Sequence, residues 1–188
     1  MDYSKKNGGF SLIELIVTIA IMAIVLGLSV SITNLIRAGR ITSMSEKVNS
    51  SISDLRTTTL AKEANYRIKI YKNGGKYLSV IQKATVNPAD GSITWADFDE
   101  TTISDYGSVY CYDVSGNKLS VGSQSTDYTI LISFDKASRA FDTIACYSNA
   151  DSTFIVPIAI SDNEIYVEYS NRIKTIKMLQ DTGKHYIK

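Results

Sequence analysis

The sequence is short of the residues on which most catalytic and metal sites depend. Its 188 residues include one histidine and two cysteines, too few for a His/Cys metal site or a histidine-based triad. Its 20 basic residues are balanced by 19 acidic ones, so no basic excess favours nucleic acid as a partner. The sequence has no Gly-x-Ser-x-Gly motif and no phosphate-binding loop. We therefore expect no enzyme activity, no cofactor, no metal and no nucleic-acid partner.

Charge is also missing from one long stretch. Residues 15–36 contain no charged side chain and are mostly Ile, Leu, Val, Ala and Met. At 1.5 Å per residue, a helix of this length spans about 33 Å, enough for the hydrocarbon core of a bilayer. Lys5 and Lys6 precede the stretch, and positive residues in that position keep their end in the cytoplasm. The sequence therefore predicts an anchored or exported chain whose C-terminal bulk lies outside the cell.

A secretory signal peptide and a plain signal anchor both leave one residue unexplained. The segment 29–31 offers a small-x-small cleavage site near Ser31, and the length of the apolar run suits a single anchor. Glu14, however, stands at the start of this run. A carboxylate in a membrane helix costs about 2.5–3.5 kcal/mol at the bilayer centre and less near the interface. Neither interpretation gives this carboxylate a purpose.

The residues around Glu14 resemble the processing site of type IV prepilins and type II secretion pseudopilins. Residues 8–15 read GGFSLIEL, and the charge-free run follows directly. The resemblance implies that a prepilin peptidase cuts after Gly9 and N-methylates the new terminal amine of Phe10. Glu14 then becomes the fifth residue of the mature protein, where pilins carry a glutamate. Phe10 and Glu14 are thus the expected assembly residues, the carboxylate of one subunit neutralising the terminal amine of its neighbour.

The resemblance also implies a place and a set of partners. The chain would be a single-pass membrane protein with its head outside, and would then join an extracellular type IV pilus-like filament. Its partners would be the prepilin peptidase, the membrane before assembly, and other pilin or pseudopilin subunits. The residues leave open whether it is a major pilin, a minor pilin or a pseudopilin, and whether its 12 tyrosines serve adhesion.

Two alternatives from other classes remain. A signal-anchored cell-surface β-domain, acting as a binding or sensor module, would keep residues 1–9 and stay in the membrane. A secreted ligand-binding domain would be cut near Ser31 instead. The N-terminus of the mature protein distinguishes all three.

The helical pattern continues beyond the apolar run. Five apolar residues recur at spacings of 3, 4, 4 and 3, which is one face of an α-helix. Polar residues fill the positions between them. The sequence therefore predicts a helix over residues 11–62 whose second half packs on the domain that follows. The five residues are Ile41, Met44, Val48, Ile52 and Leu55.

The chain has few prolines, and in this it differs from the type IV pilins that it resembles. Many type IV pilins carry a proline in the apolar half of the helix, at the position of Ser31 here. The only prolines of this sequence are Pro88 and Pro157. Gly27 is the weak point that remains, since glycine costs about 1 kcal/mol relative to alanine in a helix.

From residue 65 onward, the apolar period changes from 3.6 to 2. Two alternating runs flank Asn73-Gly74-Gly75, and this arrangement predicts a hairpin. Ten segments are candidates, and from them seven to nine short strands with turns between them are expected, forming an antiparallel sheet or a small sandwich. The candidate strands are residues 66–72, 76–83, 92–95, 108–114, 118–121, 128–134, 140–147, 153–160, 165–169 and 173–179.

Together these patterns predict an α+β fold. A long N-terminal helix has an apolar half for the membrane or filament core, and its amphipathic half packs on an antiparallel β-sheet or small β-sandwich head. The expected segments are a leader at 1–9, a transmembrane or filament-core helix at 10–36, an amphipathic helix at 37–63 and a β-rich head at 64–188. This layout also resembles, more loosely, the minor pseudopilin H and fimbrial T-like branch, which ends in an Arg-containing hairpin, here at Arg172.

An acidic stretch suggests calcium at first inspection. Gly91 is followed by three acids within residues 97–100. An EF-hand loop needs acid or amide ligands at positions 1, 3 and 5 before its glycine at position 6. With Gly91 at position 6, Val86 and Pro88 fall at positions 1 and 3, so the pattern fails. We expect a turn at Gly91 and a solvated acidic loop.

Cys111 and Cys146 both fall in predicted strands. A disulfide between them is chemically permitted outside the cell and would tie two distant strands together. Two separate buried thiols are the alternative, to which we give a slight preference. His185 has no acidic or nucleophilic neighbour in the sequence, and we expect a solvated tail residue.

Overall fold

The first element of the protein is a single long helix. The computed structural model describes residues 10–150 and 157–188, and helix α1 extends over Leu12–Ala61. This matches the predicted helix at 11–62 and continues through Gly27. The predicted leader at 1–9 lies outside the described residues.

The chain divides into two compact units between Ala38 and Gly39. The first contains the apolar part of α1. The second, Gly39–Lys188, contains the rest of α1 and all the described strands, and we call it the head. The predicted segments at 10–36, 37–63 and 64–188 stay predictions.

The head contains eleven strands among its described residues, against the seven to nine expected. The first ten correspond to the ten candidate segments, the third being far longer than predicted, and the last was not predicted at all. The predicted strand at 153–160 is described only at its end, because residues 151–156 lie outside the described part. The strands are β1 (Tyr66–Asn73), β2 (Lys76–Val86), β3 (Ile93–Ser104), β4 (Ser108–Tyr112), β5 (Lys118–Ser120), β6 (Tyr128–Phe134), β7 (Phe141–Ser148), β8 (Ile158–Ala159), β9 (Glu164–Tyr169), β10 (Arg172–Leu179) and β11 (Lys184–Ile187).

The strands form two antiparallel sheets. One has six strands in the order β3-β2-β1-β6-β7-β8, and the other has five in the order β11-β10-β9-β4-β5. Every ladder between named strands is antiparallel. Short connections explain this for strands that follow one another in the chain, since parallel neighbours need long crossovers. The predicted α+β fold, with a long helix packed against antiparallel sheets, is confirmed.

The predicted hairpin turn between β1 and β2 has the expected geometry. Asn73 pairs with Lys76, and the two residues between them, Gly74 and Gly75, have φ of 54° and 81°. Positive φ at both central positions matches the right-handed twist of the strands, and glycine adopts it without steric cost.

The core of the head is built by both sheets and the second half of α1. The predicted helical face is buried throughout, with Met44, Val48, Ile52 and Leu55 fully inaccessible and Ile41 nearly so. These side chains belong to the same cluster as the inward residues of the two sheets. The periodic pattern therefore reports burial against the head, as predicted.

Side-chain contacts show where α1 lies within the head. The Ser51 hydroxyl is 2.8 Å from that of Ser79 in β2, and the Ser53 hydroxyl is 2.9 Å from Nε2 of His185 in β11. The helix therefore fills the side of the head between β2 of one sheet and β11 of the other.

The opposite side of the head is closed by links between the sheets. Isolated bridges join Val121 to Tyr128 and Asp113 to Ile160. Each bridge connects the end of the five-stranded sheet at β4 and β5 to the six-stranded sheet. The two sheets therefore meet directly on this side.

Two sequence predictions about loops are wrong. The acidic residues within 97–100 lie in β3 and not in a loop, because β2 has 11 residues and pairs with β3 along its length. His185 is not in a solvated tail: it lies in β11, half-buried, opposite Met178 of β10. Strand β11 was not predicted because its apolar pattern is short and charged residues flank it.

The structure joins Cys111 of β4 to Cys146 of β7 in a disulfide. Both residues are fully buried, and the bond links the two sheets. This is the alternative to which the sequence analysis gave second place, and the redox state of the pair in the protein stays a prediction.

Candidate assembly site

The apolar helix begins with a reciprocal pair of hydrogen bonds. The backbone N–H of Glu14 donates to Oγ of Ser11 at 3.3 Å, and the backbone N–H of Ser11 donates to Oε2 of Glu14 at 3.3 Å. Ser11 precedes the first helical residue, Leu12, so this is a capping box that satisfies two otherwise unpaired backbone donors. The Ser-x-x-Glu spacing is present in the sequence, but the cap was not predicted from it.

The first unit presents an almost continuous apolar surface. Its described large apolar side chains are about half exposed or more, and Phe10 is 83% exposed. Soluble monomers rarely expose apolar patches larger than a few hundred Å², and larger patches mark sites of contact with membrane or protein. The exposed residues are Phe10, Leu12, Ile13, Leu15, Ile16, Val17, Ile19, Ile21, Met22, Ile24, Val25, Leu26, Ile32, Leu35 and Ile36.

Two kinds of environment can cover this surface. By length and composition, α1 can cross a membrane, since about 20 apolar residues span the hydrocarbon core. Other helices of the same kind can cover it equally well, because a helix that is apolar all round is stable only when it is surrounded.

The same segment carries a known motif. Residues 4–30 match the family model described as the prokaryotic N-terminal methylation motif. This match supports a type IV pilin-like family for the chain. No curated protein and no solved structure matches the chain.

A pilin-like motif has consequences for processing and location. It implies cleavage by a peptidase and assembly with other pilin subunits, and it points to a structural subunit rather than an enzyme. Together with the apolar helix, it is consistent with membrane anchoring before assembly into a surface filament.

The structure describes two of the three residues predicted for processing and assembly. Gly9 lies outside the described residues, so cleavage after it stays a prediction. Phe10 and Glu14 both lie at the exposed start of the pilin-like helix, about one turn apart. This spacing allows a terminal amine at Phe10 and the Glu14 carboxylate to belong to one polar end of an otherwise apolar helix.

The head carries a cluster of tyrosines on the outer face of the five-stranded sheet. The rings of Tyr110 and Tyr166 stack with centres 5.3 Å apart, and Tyr112 meets both edge-on. Burial raises the pKa of Tyr110 to about 12. A hydrogen bond to Glu164, with burial, raises the pKa of Tyr166 to about 12. Both phenols are protonated at neutral pH, so neither is a nucleophile.

Glu164 beside this cluster is fully paired. Burial would raise the pKa of its carboxyl, but hydrogen bonds from Tyr166 and Lys177 outweigh burial and lower it. The Lys177 ammonium lies 3.1 Å from one carboxylate oxygen and the Tyr166 hydroxyl 2.7 Å from the other. A carboxylate held ionised by two donors is a structural group and a poor general acid.

A cavity of about 410 Å³ lies beside Arg67 and Trp95. The guanidinium of Arg67 stacks 4.1 Å from the Trp95 ring centre, and its Nε donates to Gln82 at 2.8 Å. Burial lowers the pKa of Arg67, yet such a group stays protonated. The walls carry both a cation, Lys136, and an anion, Asp142, so they favour no class of ligand.

The described residues of the head contain no group of three His, Cys, Asp or Glu side chains that could hold a metal ion. The surface of the pilin-like segment is therefore the best-supported functional site in the described chain.

Proposed function

We propose that this protein is a structural subunit of an extracellular type IV pilus-like filament, cut after Gly9 and assembled through its N-terminal helix. The observation that carries the proposal is the methylation motif at residues 4–30, which leads directly into an exposed, charge-free helical surface. A soluble domain has no use for such a surface, whereas a subunit that moves from membrane to filament needs it in both places.

Assembly on this proposal is non-covalent. The apolar helix leaves the bilayer and is surrounded by the helices of neighbouring subunits, so its side chains stay out of water in both states. Glu14 supplies register, because its carboxylate neutralises the terminal amine of a neighbour's Phe10 where either charge alone would be costly.

Within the family, we place the chain among the minor pilins or pseudopilins. The support is the β9–β10 hairpin, in which Tyr169 pairs with Arg172 across a tight turn. Ser170 and Asn171 in this turn have φ of 51° and 64°. In the pseudopilin H and fimbrial T-like branch the fold ends at this hairpin, whereas here strand β11 follows it. Quantitative mass spectrometry of sheared filaments tests the placement, since a minor subunit is scarce relative to a major one.

The N-terminus of the mature protein, isolated from its native host, tests the proposal itself. Intact mass and terminal peptide sequencing should find a chain that begins at N-methylated Phe10. A chain that keeps Met1 in a host with an active prepilin peptidase would contradict the proposal and leave a membrane-anchored binding domain. A chain that begins just after Ser31 would indicate a secreted domain.

A further inference from the structure

Two strands of the head have an unpaired edge along their whole described length. β3 ends the six-stranded sheet and β11 ends the five-stranded one. The other two terminal strands, β5 and β8, lie on the side where Val121–Tyr128 and Asp113–Ile160 bridges link the sheets. Among the described residues, no strand lies beside the outer edge of β3 or β11. An unpaired edge presents a row of N–H and C=O groups to which another strand can be added.

The two edges carry opposite charge. β3 contains three acidic side chains and no basic one: Asp97, Asp99 and Glu100. Strand β11 and the residue that follows it contain two basic side chains and no acidic one. At the β11 edge itself, Lys184 and Lys188 are exposed.

These edges flank the same helix. α1 lies between β2, the neighbour of β3, and β11, as the Ser51–Ser79 and Ser53–His185 contacts show. The exposed strip of α1 in the head therefore has an acidic edge on one flank and a basic edge on the other. A surface that is acidic on one flank and basic on the other complements a second copy placed beside it in the same orientation.

We propose that the heads of neighbouring subunits pair edge to edge, the β3 edge of one copy lying along the β11 edge of the next. Backbone hydrogen bonds form between the two strands, and the acids of β3 meet Lys184 and Lys188. The contact joins two different surfaces, so it repeats along an open assembly and does not close into a dimer. The inference rests on the proposed filament function and adds to it a head-to-head interface.

Charge also excludes the competing pairings. Two β3 edges would bring acids against acids, and two β11 edges would bring lysines together, and like charges on facing strands are destabilising. Only the mixed pairing satisfies both edges.

Charge exchange in the full chain, expressed in its native host, tests the pairing. Asp99→Lys with Glu100→Lys reverses one edge, and Lys184→Glu with Lys188→Glu reverses the other. We expect each pair to reduce the yield of sheared filaments containing the chain about tenfold, since opposed like charges weaken association by roughly that factor. The variant with all four changes should restore the yield. Glu63→Lys with Lys76→Glu, two exposed residues of the head outside both edge strands, should leave it unchanged.

Cysteine cross-linking tests the same contact independently. Asp99→Cys combined with Lys184→Cys should produce a ladder of disulfide-linked oligomers in sheared filaments, and each single variant should not. Absence of the ladder, together with charge-reversed variants that match the wild type, overturns the edge pairing while filaments still form. A wild-type chain that enters no filament overturns the proposed function and this inference with it.

Discussion

The Nε2 atom of His185 lies 2.9 Å from the Ser53 hydroxyl and 3.2 Å from the backbone carbonyl of Asn49. A carbonyl only accepts hydrogen bonds, so Nε2 carries the proton and donates it to Asn49. The second ring nitrogen, Nδ1, is buried and has no hydrogen-bond partner in the described chain. The last strand is thus tied to α1 by a neutral imidazole.

Acid should weaken this contact before it affects any carboxylate. Burial and the nearby Arg56 lower the pKa of His185 below its ordinary 6.5, although the hydrogen bond to the Asn49 backbone opposes the shift. Since the unfolded chain then binds a proton more readily than the folded one, the free energy of unfolding should fall as pH drops below about 6.5. Above that pH, His185 should have no effect.

Thermal unfolding of the mature chain in detergent micelles between pH 7 and pH 5 measures this dependence. His185→Gln keeps a donor in place but cannot titrate, so its melting temperature should be flat down to about pH 5, where carboxylates begin to titrate. His185 is the chain's only histidine. If the melting temperature of the variant fell with pH as steeply as that of the wild type, the pH dependence could not be assigned to His185.

The buried face of α1 should be sensitive to truncation. Leu55 is fully buried and Leu60, five residues later, is 37% exposed. Leu55→Ala should reduce the free energy of unfolding by about 2–5 kcal/mol, because it removes buried methyl groups and leaves a cavity. Leu60→Ala should cost well under half as much. Chemical denaturation of both variants under the same conditions compares them, and equal losses would show that the two side chains are equally buried.

The first turn of α1 within the head should depend on one arginine. The guanidinium of Arg40 lies 5.1 Å from the Tyr106 ring centre and 5.6 Å from that of Tyr169, and it donates to the Tyr169 hydroxyl at 2.7 Å. Lysine cannot stack on two rings and bond a hydroxyl in this geometry. Arg40→Lys should therefore speed hydrogen exchange of the helical amides at 41–44 by a few-fold. Arg37→Lys, one turn earlier, is the control and should not change them.

Periodic patterns predicted most of the head, whereas features set by pairing across the chain were missed. The buried stripe from Ile41 to Leu55 and the glycine turn after Asn73 are local signals, and both were read correctly. The length of β3 depends on its partner β2 and not on its own polar sequence. β11 exists because β10 offers it a free edge and α1 offers a partner for His185.

The same difference between local signals and long-range pairing applies to the assembly site and the disulfide. The motif around Gly9, Phe10 and Glu14 could be recognised because it consists of adjacent residues. The capping box of Ser11 and Glu14 was equally local and was overlooked because the charge of Glu14 already had an explanation. The pairing of Cys111 with Cys146 could not be predicted, because the sequence does not show which face of a strand points inward.

The cysteine pair should be oxidised in the protein from its native host. Ellman titration of the denatured, unreduced chain should find no free thiol, and the same sample after reduction should yield two. Because the bond closes a separation of 35 residues, reduction should lower the free energy of unfolding by about 2–4 kcal/mol. Two thiols before reduction would show instead that the cysteines are separate buried side chains.

Glu14 has two candidate roles, and different substitutions separate them. Its side chain caps the helix through Ser11, and its charge is proposed to neutralise a neighbour's terminal amine. Glu14→Ala removes both functions, Glu14→Gln removes the charge and keeps a capping side chain, and Ser11→Ala removes one capping bond and keeps the charge. We expect cleavage after Gly9 in all three variants, since none changes the scissile bond.

Filament incorporation then decides between the two roles. If charge sets the register, Glu14→Gln should fail as completely as Glu14→Ala, while Ser11→Ala, which loses a cap worth about 1 kcal/mol, should assemble at a reduced level. Immunoblots of sheared filaments and of the membrane fraction measure the partition, and mass spectrometry of the membrane form verifies cleavage. Normal assembly of Glu14→Gln, with failure of Ser11→Ala, would assign Glu14 to the helix cap and remove the charge from the assembly mechanism.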